Sequence, residues 1–283
     1  MKIAISTEST LDIPKELQKK YDIHVVPFQV LLGERSGFDG DITPEDIFKF
    51  VDETGVLPKT SAVNEYQFDQ HFSKLLKNHD AVIHISLSSC ISSACINAAH
   101  AASIMHNVFV IDSKSLSTGI ALLAIYARKL VDQGLDAKEV AIKVKERVPY
   151  VQASFVINSL NYLYKGGRCS GLAMFSAAVF RIKPQLVVKN GKMTPQKKYH
   201  GKSVACVSNY CRDTLAEFNN PDKSIAFVTH SHATPEMVET AKEYLKKAGF
   251  KTIYETVAQA TITSHCGPKT LGILYINDGM KEE

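Results

Sequence analysis

Residues 86 to 98 read SLSSCISSACINA, five serines and two cysteines within thirteen positions, directly after the apolar run Ala81 to Ile85. Serine hydroxyls are uncharged at neutral pH, and what they offer most readily is hydrogen bonds to an anion. Ser92 falls near the start of the helix expected after that run, where unpartnered backbone N–H groups and the helix dipole favour negative charge. A second hydroxyl pair, Thr60 and Ser61 in "KTSAV" (59 to 63), sits in the loop before the preceding helix. Open α/β sheets bind ligands beyond the carboxyl ends of their strands. The expected chemistry is therefore holding an anion, which the stretch itself does not name.

Three rival constellations carry less. Ser92 with His265 would make a Ser-His hydrolase of small esters or acyl substrates, but there is no G-x-S-x-G and no third member. His230 and His232 in "HSH" alternate along a strand end and face opposite ways, an awkward pair for one metal ion. No G-x-G-x-x-G follows the first strand, against a dinucleotide site. Each hydroxyl also has a plain structural role open to it: Ser92, Thr60 and Ser61 as helix caps, His265 as a satisfied histidine in a Gly-Pro loop, Arg168 as a cap on preceding carbonyls.

The loops need a frame, and the totals permit one. At 283 residues, 45 % hydrophobic and 22 % charged, the chain has the composition of a folded globular protein. Its net charge of +4 is scattered, the densest runs being "KVKER" (143 to 147) and "KKYHGK" (197 to 202), which argues against a nucleic-acid surface. "MKIAISTESTLDIP" turns polar too early for a secretory signal, and no apolar run reaches the roughly 18 residues of a membrane span. The cytoplasm is the expected location. Six cysteines without a CxxC pair read as reduced, small hydrophobes, and neither metal nor cofactor is expected.

The first half alternates. "KIAIS" is a strand, a helix starts at Pro14, and "IHVVPFQVLL" (23 to 32) is a β run bent at Pro27. Thr43 and Pro44 open a helix through about residue 53, and Phe68, Phe72, Leu75 and Leu76 mark the next at helical spacing. Strands at 81 to 85 and 107 to 112 alternate with helices to about Met105 and over 117 to 134. This predicts an α/β fold whose N-terminal part is a mostly parallel sheet flanked by helices. From residue 151 the pattern changes to a mixed α+β part: strand "ASFVI", two helices broken at Gly166 and Gly167, and a hairpin turning at Asn190-Gly191. Domains of 1–150 and 151–283 are expected.

"STESTLDIP", "KTSAV", "SLSSCISSACINAA", "VIDSKSLSTG", "YKGGRCS", "IKP" and "SHCGPKTLGI" occur in that order and span nearly the whole chain. Together they resemble the DegV family of bacterial fatty-acid-binding proteins. The resemblance implies a two-domain protein with a long-chain fatty acid in an apolar tunnel between the domains. It implies that the protein is a carrier rather than an enzyme, presenting the carboxylate to a dihydroxyacetone-kinase-like fatty-acid kinase that makes the acyl phosphate, with only transient membrane contact. The family's site residues fall on Thr60 with Ser61, on Ser92 with Ser93, on Arg168 and on His265. "GLAMFSAAVF" (171 to 180), with Leu172, Met174, Phe175 and Phe180, is the expected tunnel wall. This chain departs from its relatives at Ser92-Ser93-Ala94, where they read Ser-Gly-Thr, at Glu8, where they have Asp, and at Tyr199 to Lys202, where they are more basic.

Overall fold

The computed structural model describes residues 1–158, 160–169 and 182–279. β1 (Ile3–Glu8), β2 (Ile23–Val26), β6 (Ala81–Ser86) and β7 (Val108–Asp112) form a four-stranded parallel sheet in the order β2-β1-β6-β7. Every residue of β1 and β6 is buried, as expected of central strands covered on both faces. The covering helices are α3 (Glu65–Leu76) and α4 (Ala94–Ala102) on one side, α5 (Thr118–Asp132) and α6 (Ala137–Arg147) on the other.

Pro27 divides the run at 23 to 32. Beyond it β3 (Gln29–Leu32) leaves the parallel sheet and pairs antiparallel with both β4 (Arg35–Phe38) and β5 (Lys59–Ser61). The sequence pattern puts Thr60 in a loop, whereas it lies on β5 opposite Val30. A segment as short as "KTS" carries no periodicity of its own; its partner strand makes it a strand.

The remaining strands build a six-stranded mixed sheet. They are β8 (Val151–Val156), β9 (Ile182–Lys189), β10 (Lys192–His200), β11 (Ile225–Ser231), β12 (Thr252–Val257) and β13 (Thr270–Ile276), in the order β10-β9-β8-β13-β11-β12. Asn190 and Gly191 both take positive φ, 51° and 82°, the conformation a two-residue type I′ hairpin needs. One face of this sheet is covered by α8 (Ser203–Glu217) and α9 (Pro235–Lys247), with Val207, Tyr210, Leu245 and Ile273 in the core between.

α5 lies against the other face. Ten of its fifteen residues are buried, so it is apolar nearly all round and packs on β1 and β6 as well as on β8, β11 and β13. One continuous core thus joins Ile83 and Ile120 to Phe155, Leu186, Phe227 and Leu274. A smaller core, Val30, Leu32, Ile42, Ile47 and Ala260, lies under β3 and α2 (Pro44–Thr54) and takes in the start of α10 (Ala260–Cys266).

Candidate functional site

A cavity of about 490 Å³ opens where the loop after β6 meets the six-stranded sheet, within the roughly 300–1,000 Å³ of small-molecule sites. Thr60, Ser61, Ser92, Ser93, Arg168 and His265 all line it. Phe28, Leu116, Phe155, Leu163, Met193 and Leu274 supply much of its apolar wall. The sequence at 171 to 180, expected to be tunnel wall, lies outside the described residues.

The serine loop is fixed residue by residue. Glu8, fully buried at the end of β1, accepts Ser86 Oγ at 2.5 Å and the Leu87 N–H at 3.0 Å. Ser88 Oγ donates to the Gly191 carbonyl at 2.8 Å, so the hairpin tip closes on the loop. Asp112 accepts both the N–H and the hydroxyl of Ser89. Burial opposes its charge, yet the bonds from Lys114 and Ser89 outweigh this and hold the Asp112 carboxyl below its ordinary range. Ser92 lines the cavity. Its Oγ accepts the Ala94 N–H at 3.2 Å, and α4 begins there with no bond from its own N-cap, Ser93. The capping role foreseen for Ser92 is present, and because that role uses the oxygen as an acceptor, the O–H can still donate.

His265 sits in the last turn of α10. Its Nε2 lies 2.8 Å from Thr60 Oγ1, a contact between residues 205 apart in sequence. Nδ1 is buried without a hydrogen-bond partner and lies against the backbone of Gly166, where an added Cβ would come within 2.9 Å of it. Gly166 ends α7 (Asn161–Gly166), and Gly167 closes it in the left-handed region, φ 67°. Arg168 follows, exposed, donating Nη1 to the Gly166 carbonyl at 2.6 Å. Burial first, and the Arg168 cation second, push the His265 imidazole down to about 4, so it is neutral at neutral pH.

The arrangement does not resemble a hydrolase triad. His265 pairs with Thr60 rather than Ser92, and no carboxylate orients its Nδ1. His230 bonds Glu255 and His232 bonds Glu45, and among the described residues no three His, Cys, Asp or Glu side chains gather as a metal site. Tyr199, at the departure from the family pattern, is a buried residue whose hydroxyl donates to Gln185 and lies 3.2 Å from Asp213. Five cysteines are buried thiols, whereas Cys90 is exposed and lines the cavity.

The family model described as "Uncharacterised protein, DegV family" matches residues 2–278. The chain belongs to the DegV family. A DegV relative from Thermotoga maritima, named a fatty acid-binding protein, is 29% identical over 283 residues, covering 96% of each chain. The crystal structure of DegV from Bacillus subtilis, described as a fatty acid binding protein, superposes with a TM-score of 0.85 at 27% identity, over 98% of this chain and 99% of that one. A DegV family protein from Thermus thermophilus has the same fold, TM-score 0.91 at 24% identity, over 98% of this chain and 100% of its own. Among the described residues no helix is long and apolar enough to cross a membrane.

Sequence reasoning missed the carboxylates behind the DegV site. Glu8 and Asp12 stand in the motif "STESTLDIP", but a buried carboxylate that holds a loop looks, in sequence, like any acidic loop residue. Ser117 and Thr261 also line the cavity and were hidden in the same way.

Proposed function

We propose that this protein is a cytoplasmic carrier of a long-chain fatty acid, held in the cavity between an N-terminal domain (1–150) and a C-terminal domain (151–283). The observation that carries the reading is the Thr60–His265 pair, which joins the two halves at 2.8 Å inside a cavity otherwise walled largely by apolar side chains. A fatty acid needs these two surfaces. Each buried methylene contributes about 0.8 kcal/mol, so the tail supplies most of the affinity. The carboxylate must be hydrogen-bonded where it is desolvated.

We assign His265 the tautomer with the proton on Nε2. Its N–H then donates to Thr60 Oγ1, and the Thr60 O–H is free to donate to the carboxylate beside Ser92. The Nδ1 lone pair faces Gly166. Ser61, Ser93 and Arg168 are exposed, so the head group would lie toward the surface and the tail inward. That polarity suits presentation to a dihydroxyacetone-kinase-like fatty-acid kinase, whose ATP would supply the phosphoryl group for acyl-phosphate formation while the carrier supplies no chemistry of its own.

The test is mass spectrometry of a solvent extract from the purified protein, repeated for Thr60→Ala and Ser92→Ala. A stoichiometric fatty acid in the wild type is expected, with affinity about 10- to 100-fold weaker in each variant, the usual worth of a hydrogen bond to a charged group. An empty extract and no uptake of added fatty acid would overturn the reading. Acyl phosphate trapped with hydroxylamine after addition of such a kinase and ATP tests the partner.

A further inference from the structure

α10 carries four cavity-lining residues, Thr261, Ile262, His265 and Cys266, yet it does not cap itself. Its N-cap, Gln259, makes no side-chain bond to the first turn. The acceptors come instead from the beginning of the chain. Asp12 Oδ1 accepts the Gln259 N–H at 2.8 Å, and Asp39 Oδ1 accepts the Thr261 N–H at 3.2 Å.

Each carboxylate is itself anchored through its other oxygen. Ser117 Oγ donates to Asp12 Oδ2 at 2.6 Å, and Ser117 is a cavity-lining residue held at φ 53°. Ser9 Oγ donates to Asp39 Oδ2 at 2.9 Å while accepting the Phe28 N–H at 3.0 Å. Between them, Ala260 is buried in the small core with Val30, Leu32, Ile42 and Ile47. At the far end of the same helix His265 meets Thr60, and Thr60 pairs with Val30 of that same sheet. Both ends of α10 are therefore fixed by the N-terminal half, although the helix belongs by sequence to the C-terminal half.

We propose that Asp12 and Asp39 are positioning residues for the carboxylate site: by holding the first turn of α10 they set where His265 stands relative to Thr60 and Ser92. This rests on the fatty-acid reading above. Neither residue touches the ligand in this scheme. Their effect reaches it through the helix, so the head-group contribution should be lost while the tail's is kept.

The measurement compares oleate with methyl oleate, which share a tail and differ in the head, on the full-length wild type, Asp39→Ala and Asp12→Gly. Gly removes the acceptor of the Gln259 N–H and tolerates the left-handed backbone at this position, φ 53°. Wild type should prefer the acid, and both variants should lose about tenfold in oleate affinity with methyl oleate changed less than about twofold. Equal weakening of both ligands, or an unchanged preference, would overturn the proposal. A second readout needs no ligand: the His265 ring-proton signal in the NMR spectrum, assigned by its disappearance in His265→Gln, should shift in both Asp variants and stay in place in Thr43→Ala. If the wild type takes up neither probe, the fatty-acid reading fails, and an unmoved His265 signal would then remove the positioning role as well.

Discussion

Helices α2, α3 and α6 begin in one way and α10 in another. In the first three the N-cap side chain accepts the N–H three residues on, and that residue's side chain reaches back: Thr43 with Asp46, Asn64 with Gln67, Asp136 with Glu139. Such a capping box satisfies two orphan donors from within four consecutive residues. α10 instead takes its acceptors from Asp12 and Asp39, more than two hundred residues away in the chain. A self-capped helix keeps its start wherever the rest of the molecule goes. A helix capped from elsewhere holds its place only while the two halves are docked, and here it carries the site's histidine. The absence of a self-cap is not in itself a mark of function, since α1 (Lys15–Lys20) and α8 also lack one. What distinguishes α10 is that distant acceptors hold its start while its other residues line the cavity.

The comparison can be sharpened first through pH, where the expected effect is largest. Burial lowers the His265 imidazole from 6.5 to about 4, so the unfolded chain binds the proton more readily than the folded one. The neutral ring's contribution is complete above about pH 6.5 and is lost as the pH falls toward about 4, a change of about 3 kcal/mol at most. His265→Gln should flatten the acid limb of a stability-against-pH curve measured by urea unfolding. The slope that remains belongs in part to His71, which burial lowers to about 3. An unchanged limb would mean that the imidazole is far more hydrated than its place against Gly166 implies.

Next in size is Gly166→Ala. The glycine is not in the left-handed region, so alanine costs nothing in backbone conformation and improves the helix slightly. Its methyl would nevertheless come within 2.9 Å of His265 Nδ1, and the ring must move. Fatty-acid affinity should fall about tenfold with a melting temperature near that of the wild type. Full affinity would show that His265 is not needed where it stands.

These contrasts also explain what was legible. Thr43 with Pro44 and the Asn190-Gly191 turn state their conformations in adjacent residues, and both elements form where the sequence puts them. The six candidate residues line one cavity, and what made them legible was the family order of their motifs rather than their spacing. β5 and the acceptors of α10 were illegible for one physical reason: each is made by a partner distant in sequence. Asp39 follows a short exposed strand and reads as loop, yet its two oxygens join Ser9 to Thr261. Glu8 reads as part of the polar loop after the first strand, yet it ends β1 and is fully buried.

The smallest effect is expected at the self-capped end of the comparison. Thr43 Oγ1 accepts the Asp46 N–H at 3.2 Å, and Asp46 Oδ2 accepts the Thr43 N–H at 2.9 Å. Thr43→Ala removes the first bond and leaves the second, at a cost of about 1 kcal/mol. α2 packs against α10 through the small core that holds Ile47 and Ala260, so a disturbance of α2 as a whole would reach the site. A frayed first turn should not, because Pro44 presets the backbone there and Ile47 remains buried. Urea unfolding should register the loss while oleate affinity and the His265 signal stay as in the wild type. If Thr43→Ala weakens oleate binding as much as Asp39→Ala does, the small core rather than the carboxylates transmits position to α10, and the distinction between the two kinds of helix start carries no functional meaning.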